Sequence, residues 1–157
     1  MIWQLCPMEL DDLEQVLDIE QHSFSSPWTP DLFVNEFVNP ISRRLVALDP
    51  RVLPARRVAG YLIYWEVVAD EFHLMSIAVH QGCRRRGVGA ALLESMIGDI
   101  RKPGTRIVLE VRVGNLGAQQ LYRRYGFTPV GIRPHYYQDT DEDALLMERV
   151  APPEAGP

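Results

Sequence analysis

The chain has 157 residues, of which 46% are hydrophobic and 24% are charged, and this balance is typical of a globular domain with a full core rather than of a disordered chain. The net charge of −5 argues against nucleic acid as a partner and favours a cationic substrate, such as an amine or a basic peptide. No apolar run approaches the ~20 residues of a membrane helix, and the start of the chain lacks a signal-peptide pattern, so we expect a cytoplasmic protein without membrane association.

The first half of the chain contains short apolar runs and two segments of helical periodicity. Pro7 ends the opening strand, acidic residues occupy the first turn of the next helix, and Thr29 caps a second helix that Pro40 ends. In chain order the predicted elements are a strand at 2–5, helices at 9–24 and 30–39, and strands at 43–48, 58–65 and 72–79. The short connection at 69–71 predicts that the last two of these strands pair antiparallel.

The second half alternates helices with strands. Its predicted elements are a helix at 88–100, a strand at 105–113, a helix at 116–125, and strands at 127–137 and 144–150. Because a helix joins strand 72–79 to strand 105–113, we expect these two strands to lie parallel. The sequence therefore predicts one α/β (α+β layered) domain over residues 1–150 with a mixed sheet, followed by a disordered tail at 151–157.

The segment from Ser76 to Glu94 carries the clearest functional pattern, because a strand ends, turns, and leads through a basic loop into a helix. Backbone N–H groups at the start of a helix attract an anion, and Gly87 and Gly89 let the backbone approach it closely. Three arginines, residues 84–86, add forks suited to phosphate oxygens. The loop lacks the features of a P-loop or a dinucleotide fingerprint. The pattern indicates a phosphorylated cofactor, the alternative being an exposed basic turn.

Two further residues are candidates for chemistry. Glu110 lies in an otherwise apolar strand, which fits a general base in a cleft, but Arg106 and Arg112 share its face and leave open a salt-bridged residue on a wet surface. Asn115 is explained as the cap of the following helix. Tyr122, on that helix, fits core packing when it is judged from the residues alone.

The remaining polar and aromatic residues give weaker patterns. The two cysteines and the four histidines show no metal-ligand spacing, so we predict no metal site and reduced thiols. The Ser25–Pro30 loop with Trp28 and the pair Tyr136 and Tyr137 could line a substrate groove or serve as packing, and packing is the favoured interpretation.

Taken together, these segments resemble the GNAT family of acetyl-CoA-dependent N-acetyltransferases. The matching motifs are Ile77-Ala-Val79, Arg84-x-x-Gly87-x-Gly89-Ala90, Leu109-Glu-Val111 followed by Asn115, and Leu121-Tyr122 with Gly126-Phe127. The chain is most similar to the RimI-like branch, the ribosomal-protein-alanine N-acetyltransferases, through Ile19-Glu-Gln21, Pro27-Trp28, Leu109-Glu-Val-Arg112 and Arg133-x-x-Tyr136-Tyr137. The loop at 49–57 is longer than this branch leads us to expect.

The resemblance implies a GNAT-like mixed sheet with splayed parallel central strands flanked by helices, and acetyl-CoA as co-substrate. It implies that Glu110 takes the proton of the attacking amine through water, that Tyr122 protonates the departing CoA thiolate, and that Asn115 contacts the cofactor. The main chain of Ile77, Ala78 and Val79 would pair with the pantetheine arm. The pyrophosphate would be bound by the loop residues Arg84, Arg85, Arg86, Gly87, Val88, Gly89 and Ala90.

The implied reaction is direct acetyl transfer to the N-terminal amine of a protein, in this branch a ribosomal protein that begins with alanine. Two alternatives stay open. One is a relative that acetylates a small amine or a lysine side chain. The other is a CoA-binding regulatory module without turnover, against which the presence of both Glu110 and Tyr122 argues.

Overall fold

The computed structural model describes residues 2–153. These residues form two compact units, the first comprising residues up to Trp65 together with Met75–Gly98, and the second comprising Glu66–Leu74 and the residues from Asp99 onward. The assignment of residues 1–150 to one domain stays a prediction. Of the predicted tail, Ala151 is buried and its N–H donates to the carbonyl of Thr105 at 2.8 Å, whereas residues 154–157 lie outside the described part of the chain.

Seven strands and four α-helices make up the described chain, in agreement with the predicted mixed α/β class. The strands are β1 (Gln4–Pro7), β2 (Ser42–Leu48), β3 (Val58–Val68), β4 (Glu71–Val79), β5 (Arg106–Arg112), β6 (Thr128–Tyr137) and β7 (Glu142–Val150). The helices are α1 (Leu13–Ser23), α2 (Pro30–Val38), α3 (Val88–Asp99) and α4 (Leu116–Arg124). The strands are hydrogen-bonded in the order β1-β2-β3-β4-β5-β7-β6.

The first unit contains β1, β2 and most of β3, which pair antiparallel. β1 lies two residues later than predicted and includes Pro7, which pairs with Leu45; an edge strand accepts proline because one side of its ladder needs no N–H donor. The helices α1 and α2 bury apolar residues against these strands, and the ring of Phe33 meets that of Tyr61 edge-on at 5.8 Å.

The start of α1 differs from the prediction. A single 3₁₀ turn, Leu10–Asp12, precedes the α-helix at Leu13. The Asp12 carboxylate accepts from the N–H of Glu9 at 2.8 Å and from the Arg56 guanidinium at 2.7 Å. These bonds hold the first turn in a conformation that helical periodicity alone does not predict. The predicted cap of α2 is confirmed, since Thr29 Oγ1 accepts from the N–H of Leu32 at 3.4 Å.

The second unit contains the parallel pair that the sequence predicted. β4 and β5 pair through Glu71 with Arg106, Phe72 with Ile107 and His73 with Val108. β5 then pairs antiparallel with β7 along its whole length, and β7 with β6. The last strand of the chain therefore lies between β5 and β6. β6 is irregular between Arg133 and Tyr137, where His135 has a φ of +55°.

Helix α4 begins and ends at the predicted signals. Asn115 Oδ1 accepts from the N–H of Ala118 at 3.1 Å, which satisfies a donor that the helix cannot pair itself. Gly126, just beyond the helix, has a φ of +89°, a left-handed conformation that favours glycine.

Candidate active site

The predicted phosphate cradle lies in the first unit, where the main chain leaves β4 and enters α3. A 3₁₀ turn, Gln81–Cys83, follows the strand, and the His80 Nδ1 accepts from the N–H of Gly82 at 2.9 Å. Arg84 folds back on this turn, because its Nε donates to the Val79 carbonyl at 3.3 Å and its Nη2 to Ser23 Oγ at 3.4 Å. One of the three arginines is therefore partly committed to the protein itself.

The loop from residue 84 to residue 88 contains two residues in the left-handed backbone region. Arg85 and Gly87 have φ values of +61° and +79°, whereas Arg84 before them is extended. Residues 84–87 are exposed. A β-carbon built on Gly87 meets no atom of the described residues within 4 Å, so open space adjoins the main chain there.

The first turn of α3 lies close against β3. A β-carbon at Gly60 would come within 2.8 Å of Val88 Cγ1 and 2.9 Å of the Ala78 carbonyl oxygen. Val88 is 1% exposed, and the first helical bond runs from the N–H of Ala91 to the carbonyl of Gly87 at 2.9 Å. Because Gly60 has no side chain, the start of the helix is seated directly on the sheet.

The second unit contains Glu110, whose side chain on β5 is 30% exposed. Its carboxylate lies 3.4 Å from Nη1 of Arg133 and accepts a hydrogen bond from the Tyr136 hydroxyl. The two arginines that share its face of β5 pair with other acids, Arg106 with Glu148 at 2.9 Å and Arg112 with Asp139 at 2.9 Å. The carboxylate is thus partly accessible and is held from β6.

Tyr122 is buried on α4, with 6% of its surface exposed. Its ring lies 5.7 Å from that of Phe127. Burial, with a smaller contribution from the charge of Tyr137, raises the pKa of the Tyr122 hydroxyl above its usual value. The phenol therefore stays protonated at neutral pH. This environment is compatible with core packing and with a proton donor.

An arginine on β5 contacts both the predicted aromatic pair, at the end of β6, and the turn that follows it. The rings of Tyr136 and Tyr137 meet edge-on at 5.0 Å. The Arg112 guanidinium lies 4.0 Å from the centre of the Tyr137 ring, and Arg112 also binds Asp139 in the turn between β6 and β7 and Glu142 at the start of β7. Burial raises the pKa of Tyr137 to about 12.

The loop between α1 and α2 is held by a buried carboxylate. Glu20 is 2% exposed and accepts from the N–H of Trp28 at 2.9 Å and from the hydroxyl of Tyr61, which also contacts Ser76 Oγ at 3.2 Å. Burial raises the pKa of Glu20, against the opposing effect of these hydrogen bonds. The Trp28 ring packs 5.1 Å from that of Phe33, which agrees with the packing interpretation.

Arg133 and Tyr136 belong to a motif that the sequence showed, but their contact with Glu110 was not predicted. The contact joins residues of β6 to a residue of β5, and the sequence does not show that these two strands bring their side chains together. Within residues 2–153, no three His, Cys, Asp or Glu side chains are grouped as metal ligands. Both cysteines are free thiols. None of the described helices is long and apolar enough to cross a membrane.

Comparison with known proteins places these features in one family. Residues 13–127 match the model of the acetyltransferase (GNAT) family. The ribosomal protein bS18-alanine N-acetyltransferase of Escherichia coli (strain K12) is 36% identical over 143 residues, which cover 89% of this chain and 92% of that relative. The crystal structure of the ribosomal-protein-S18-alanine N-acetyltransferase from Escherichia coli matches with a TM-score of 0.84 and 30% identity over 98% of this chain and 97% of that one.

A more distant structure contains the expected co-substrate. Arabidopsis thaliana NAA60 in complex with acetyl-CoA matches with a TM-score of 0.80 over 95% of this chain and 98% of that one. Its identity of 18% means that this likeness concerns the fold alone.

Proposed function

Because the chain belongs to the acetyltransferase (GNAT) family, we propose that it moves the acetyl group of acetyl-CoA to the N-terminal amine of a protein. The acceptor we propose is a ribosomal protein that begins with alanine, as in the names of the relatives at 36% and 30% identity. The observation that carries the proposal is the exposed loop before α3, whose left-handed residues Arg85 and Gly87 lead directly into the first turn of that helix.

We assign the diphosphate of the co-substrate to this loop. The N–H groups of Gly87, Val88, Gly89 and Ala90 open α3 and are available in its first turn, where the helix dipole also favours an anion. The guanidinium groups of Arg85 and Arg86 are exposed and can neutralise phosphate charge. Arg84 would act mainly by stiffening the turn, since it already binds the Val79 carbonyl.

The strand that leads into the loop would bind the pantetheine arm. The main-chain groups of Ile77, Ala78 and Val79 are suited to such pairing because an extended ligand can add to an unpaired strand edge. The Val79 carbonyl accepts from Arg84, so we expect the arm to depend more on the other groups of this segment. Asn115 uses Oδ1 as a helix cap, and its contact with the co-substrate would come from Nδ2 or the main chain.

For the transfer step we assign the base to Glu110 and the acid to Tyr122. Acetyl-CoA supplies an acyl group activated as a thioester. The amine nitrogen forms a bond to the carbonyl carbon while the carbon–sulfur bond breaks, Glu110 accepts the amine proton through water, and the Tyr122 hydroxyl donates to the departing sulfur. A protein N-terminus has a pKa of about 7.7–8.0, so the base removes a proton that is already weakly held.

The surroundings of both residues are consistent with these roles. Arg133 and Tyr136 hold the Glu110 carboxylate in one orientation while leaving it partly accessible. The raised pKa of Tyr122 makes its phenol a weak acid, but a buried thiolate is also disfavoured, because desolvation penalises the charged form of both groups. The proton therefore moves as the sulfur departs rather than beforehand.

The test is a panel of peptides incubated with acetyl-CoA and analysed by mass spectrometry. One peptide begins with alanine and contains an internal lysine, a second has the same sequence with a blocked N-terminus, and a polyamine represents small acceptors. We expect acetylation of the free N-terminus alone. Faster acetylation of the blocked peptide or of the polyamine would refute the acceptor class, and CoA binding without any product would favour a regulatory module.

Substitution of the proposed base makes the test specific to the site. Glu110→Gln should lower kcat by roughly 10²- to 10⁴-fold and leave the affinity for acetyl-CoA close to that of the wild type. Glu148→Gln, which removes another ion-paired carboxylate of the same sheet, should keep most of the activity. Equal rates for the two variants would contradict the assignment of Glu110.

A further inference from the structure

The cradle loop is tied to the beginning of the chain by a tryptophan that the proposed mechanism does not use. The indole Nε1–H of Trp3 donates to the main-chain carbonyl of Arg86 at 3.0 Å, across 83 positions of sequence. Trp3 is 6% exposed and directly precedes β1. A buried indole N–H needs an acceptor, and this one takes it from the loop between β4 and α3.

This bond fixes the orientation of one peptide unit. In a planar trans peptide the carbonyl of one residue and the N–H of the next point in opposite directions. Since the Arg86 carbonyl points toward Trp3, the N–H of Gly87 points away from it. The next unit is fixed in the same way, because the Gly87 carbonyl accepts from the N–H of Ala91 at 2.9 Å and the N–H of Val88 therefore points out of the helix.

The loop needs such support. Arg85 has a φ of +61°, a left-handed conformation that is unfavourable for a non-glycine residue. Three consecutive exposed arginines also repel one another when no anion is bound. Without an external partner for the Arg86 carbonyl, the peptide between Arg86 and Gly87 is free to turn over, and the Gly87 donor would then face the wrong side.

We infer that Trp3 is a positioning residue, which holds the N–H group of Gly87 toward the diphosphate of CoA, beside the N–H of Val88 that the helix itself fixes. The inference rests on the proposed function, because it needs the loop to bind that ligand. It assigns the effect to the co-substrate and not to the acceptor peptide.

The chain contains a matched control for this contact. Trp65, also in the first unit, donates its indole N–H to Glu36 Oε2 at 2.8 Å, so Trp65→Phe removes an indole hydrogen bond, there to a carboxylate, from another place. Trp3→Phe keeps an aromatic ring and removes the donor. Incorporation of benzothienylalanine at position 3, which replaces the N–H by sulfur in a ring of the same shape, keeps the packing even if phenylalanine does not.

The measurement is CoA binding by titration calorimetry, followed by steady-state kinetics. We expect Trp3→Phe and the benzothienylalanine protein to bind CoA about 3- to 10-fold more weakly, the range of one neutral hydrogen bond. The KM for acetyl-CoA should rise while kcat and the KM for the peptide stay near wild type. Trp65→Phe should bind CoA as the wild type does. A merely structural role would change both tryptophan variants alike.

The outcomes separate this inference from the function on which it rests. If the wild type binds no CoA, the proposed function fails, whatever Trp3 does. If the wild type binds CoA and the benzothienylalanine protein binds it equally well, the positioning role is overturned while the function stands.

Discussion

A methyl group added at Gly60 would clash with the first turn of α3 and with the neighbouring strand β4. The new β-carbon would lie 2.8 Å from Val88 Cγ1, 2.9 Å from the Ala78 carbonyl oxygen and 3.3 Å from Leu92 Cδ1. One of these atoms belongs to the backbone of β4 and cannot rotate away. The first turn of α3 must therefore move outward, or the strands must separate locally.

The cost of this overpacking can be bounded. Forcing one carbon into a packed interior costs about 1–3 kcal/mol, and 1 kcal/mol lowers the Tm of a domain of this size by roughly 2–4 °C. Gly60→Ala should thus lower the Tm by roughly 2–12 °C on these figures. Because the displaced turn begins the cradle, we also expect weaker CoA binding.

Thermal unfolding followed by circular dichroism measures the first effect and titration calorimetry the second. Gly98→Ala is the matched control: it lies in the same helix, and an added β-carbon meets no described atom within 4 Å. Alanine is favoured over glycine within a helix by roughly 0.5–1 kcal/mol, so this variant should be at least as stable as the wild type. A Gly60→Ala protein with an unchanged Tm and unchanged CoA affinity would refute the argument for close seating.

Three further predictions concern charged residues. Burial raises the pKa of Glu20 above 4.5, so the folded state keeps a proton that the unfolded state loses. The stability of the wild type relative to Glu20→Gln should therefore fall as pH rises from about 4.5. A constant difference between the urea midpoints of the two proteins over this range would contradict the prediction. Hydrogen bonds from Arg51 lower the pKa of Asp49 from 3.8 to about 2, so the contribution of Asp49 to stability should be complete above pH 3.8 and disappear as pH falls through 2. Over that range the Tm of Asp49→Asn should fall less than the Tm of the wild type. Arg112→Ala removes several contacts around the β6–β7 turn and should lower the free energy of unfolding by about 1–2 kcal/mol. Arg106→Ala should lower it less, because the ion pair of Arg106 with Glu148 is more exposed. A larger loss for Arg106→Ala in urea unfolding would contradict this.

Local signals in the sequence predicted the helix ends well. The caps Thr29 and Asn115 form the expected bonds, and Gly126 adopts the expected left-handed conformation. Each of these signals acts over a few residues, so no knowledge of distant partners is needed. The start of α1 was misplaced for the opposite reason, because the Asp12 carboxylate that shapes it is bound by Arg56, which comes 44 positions later.

The arrangement of the last strands was not predictable from periodicity. The sequence predicted β6 and β7 as a closing pair but did not indicate that β7 lies between β5 and β6. The partner of Glu110 depends on that order. Alternation along β5 brought Arg106 and Arg112 to its face, but the carboxylate pairs with Arg133 of β6.

The parallel pair of β4 and β5 was predicted because a helix between two neighbouring strands requires a crossover. The loop before α3 could be proposed as a phosphate cradle because its residues are consecutive, and its binding role stays a prediction. Trp3 was counted only as part of an apolar start, since nothing near it in sequence indicates an acceptor at Arg86. Contacts of this separation become visible only when the fold is known.

The bond between Trp3 and Arg86 also bears on how the chain responds to its ligand. Because this loop is bonded to the N-terminal segment, a molecule that binds the loop also favours the docked state of that segment. At a concentration a hundred times its Kd, a ligand that binds only the folded state adds about 2.7 kcal/mol to the free energy of unfolding. We therefore expect bound CoA to slow proteolysis of the segment around Trp3, which lies 83 positions from Arg86 in the sequence.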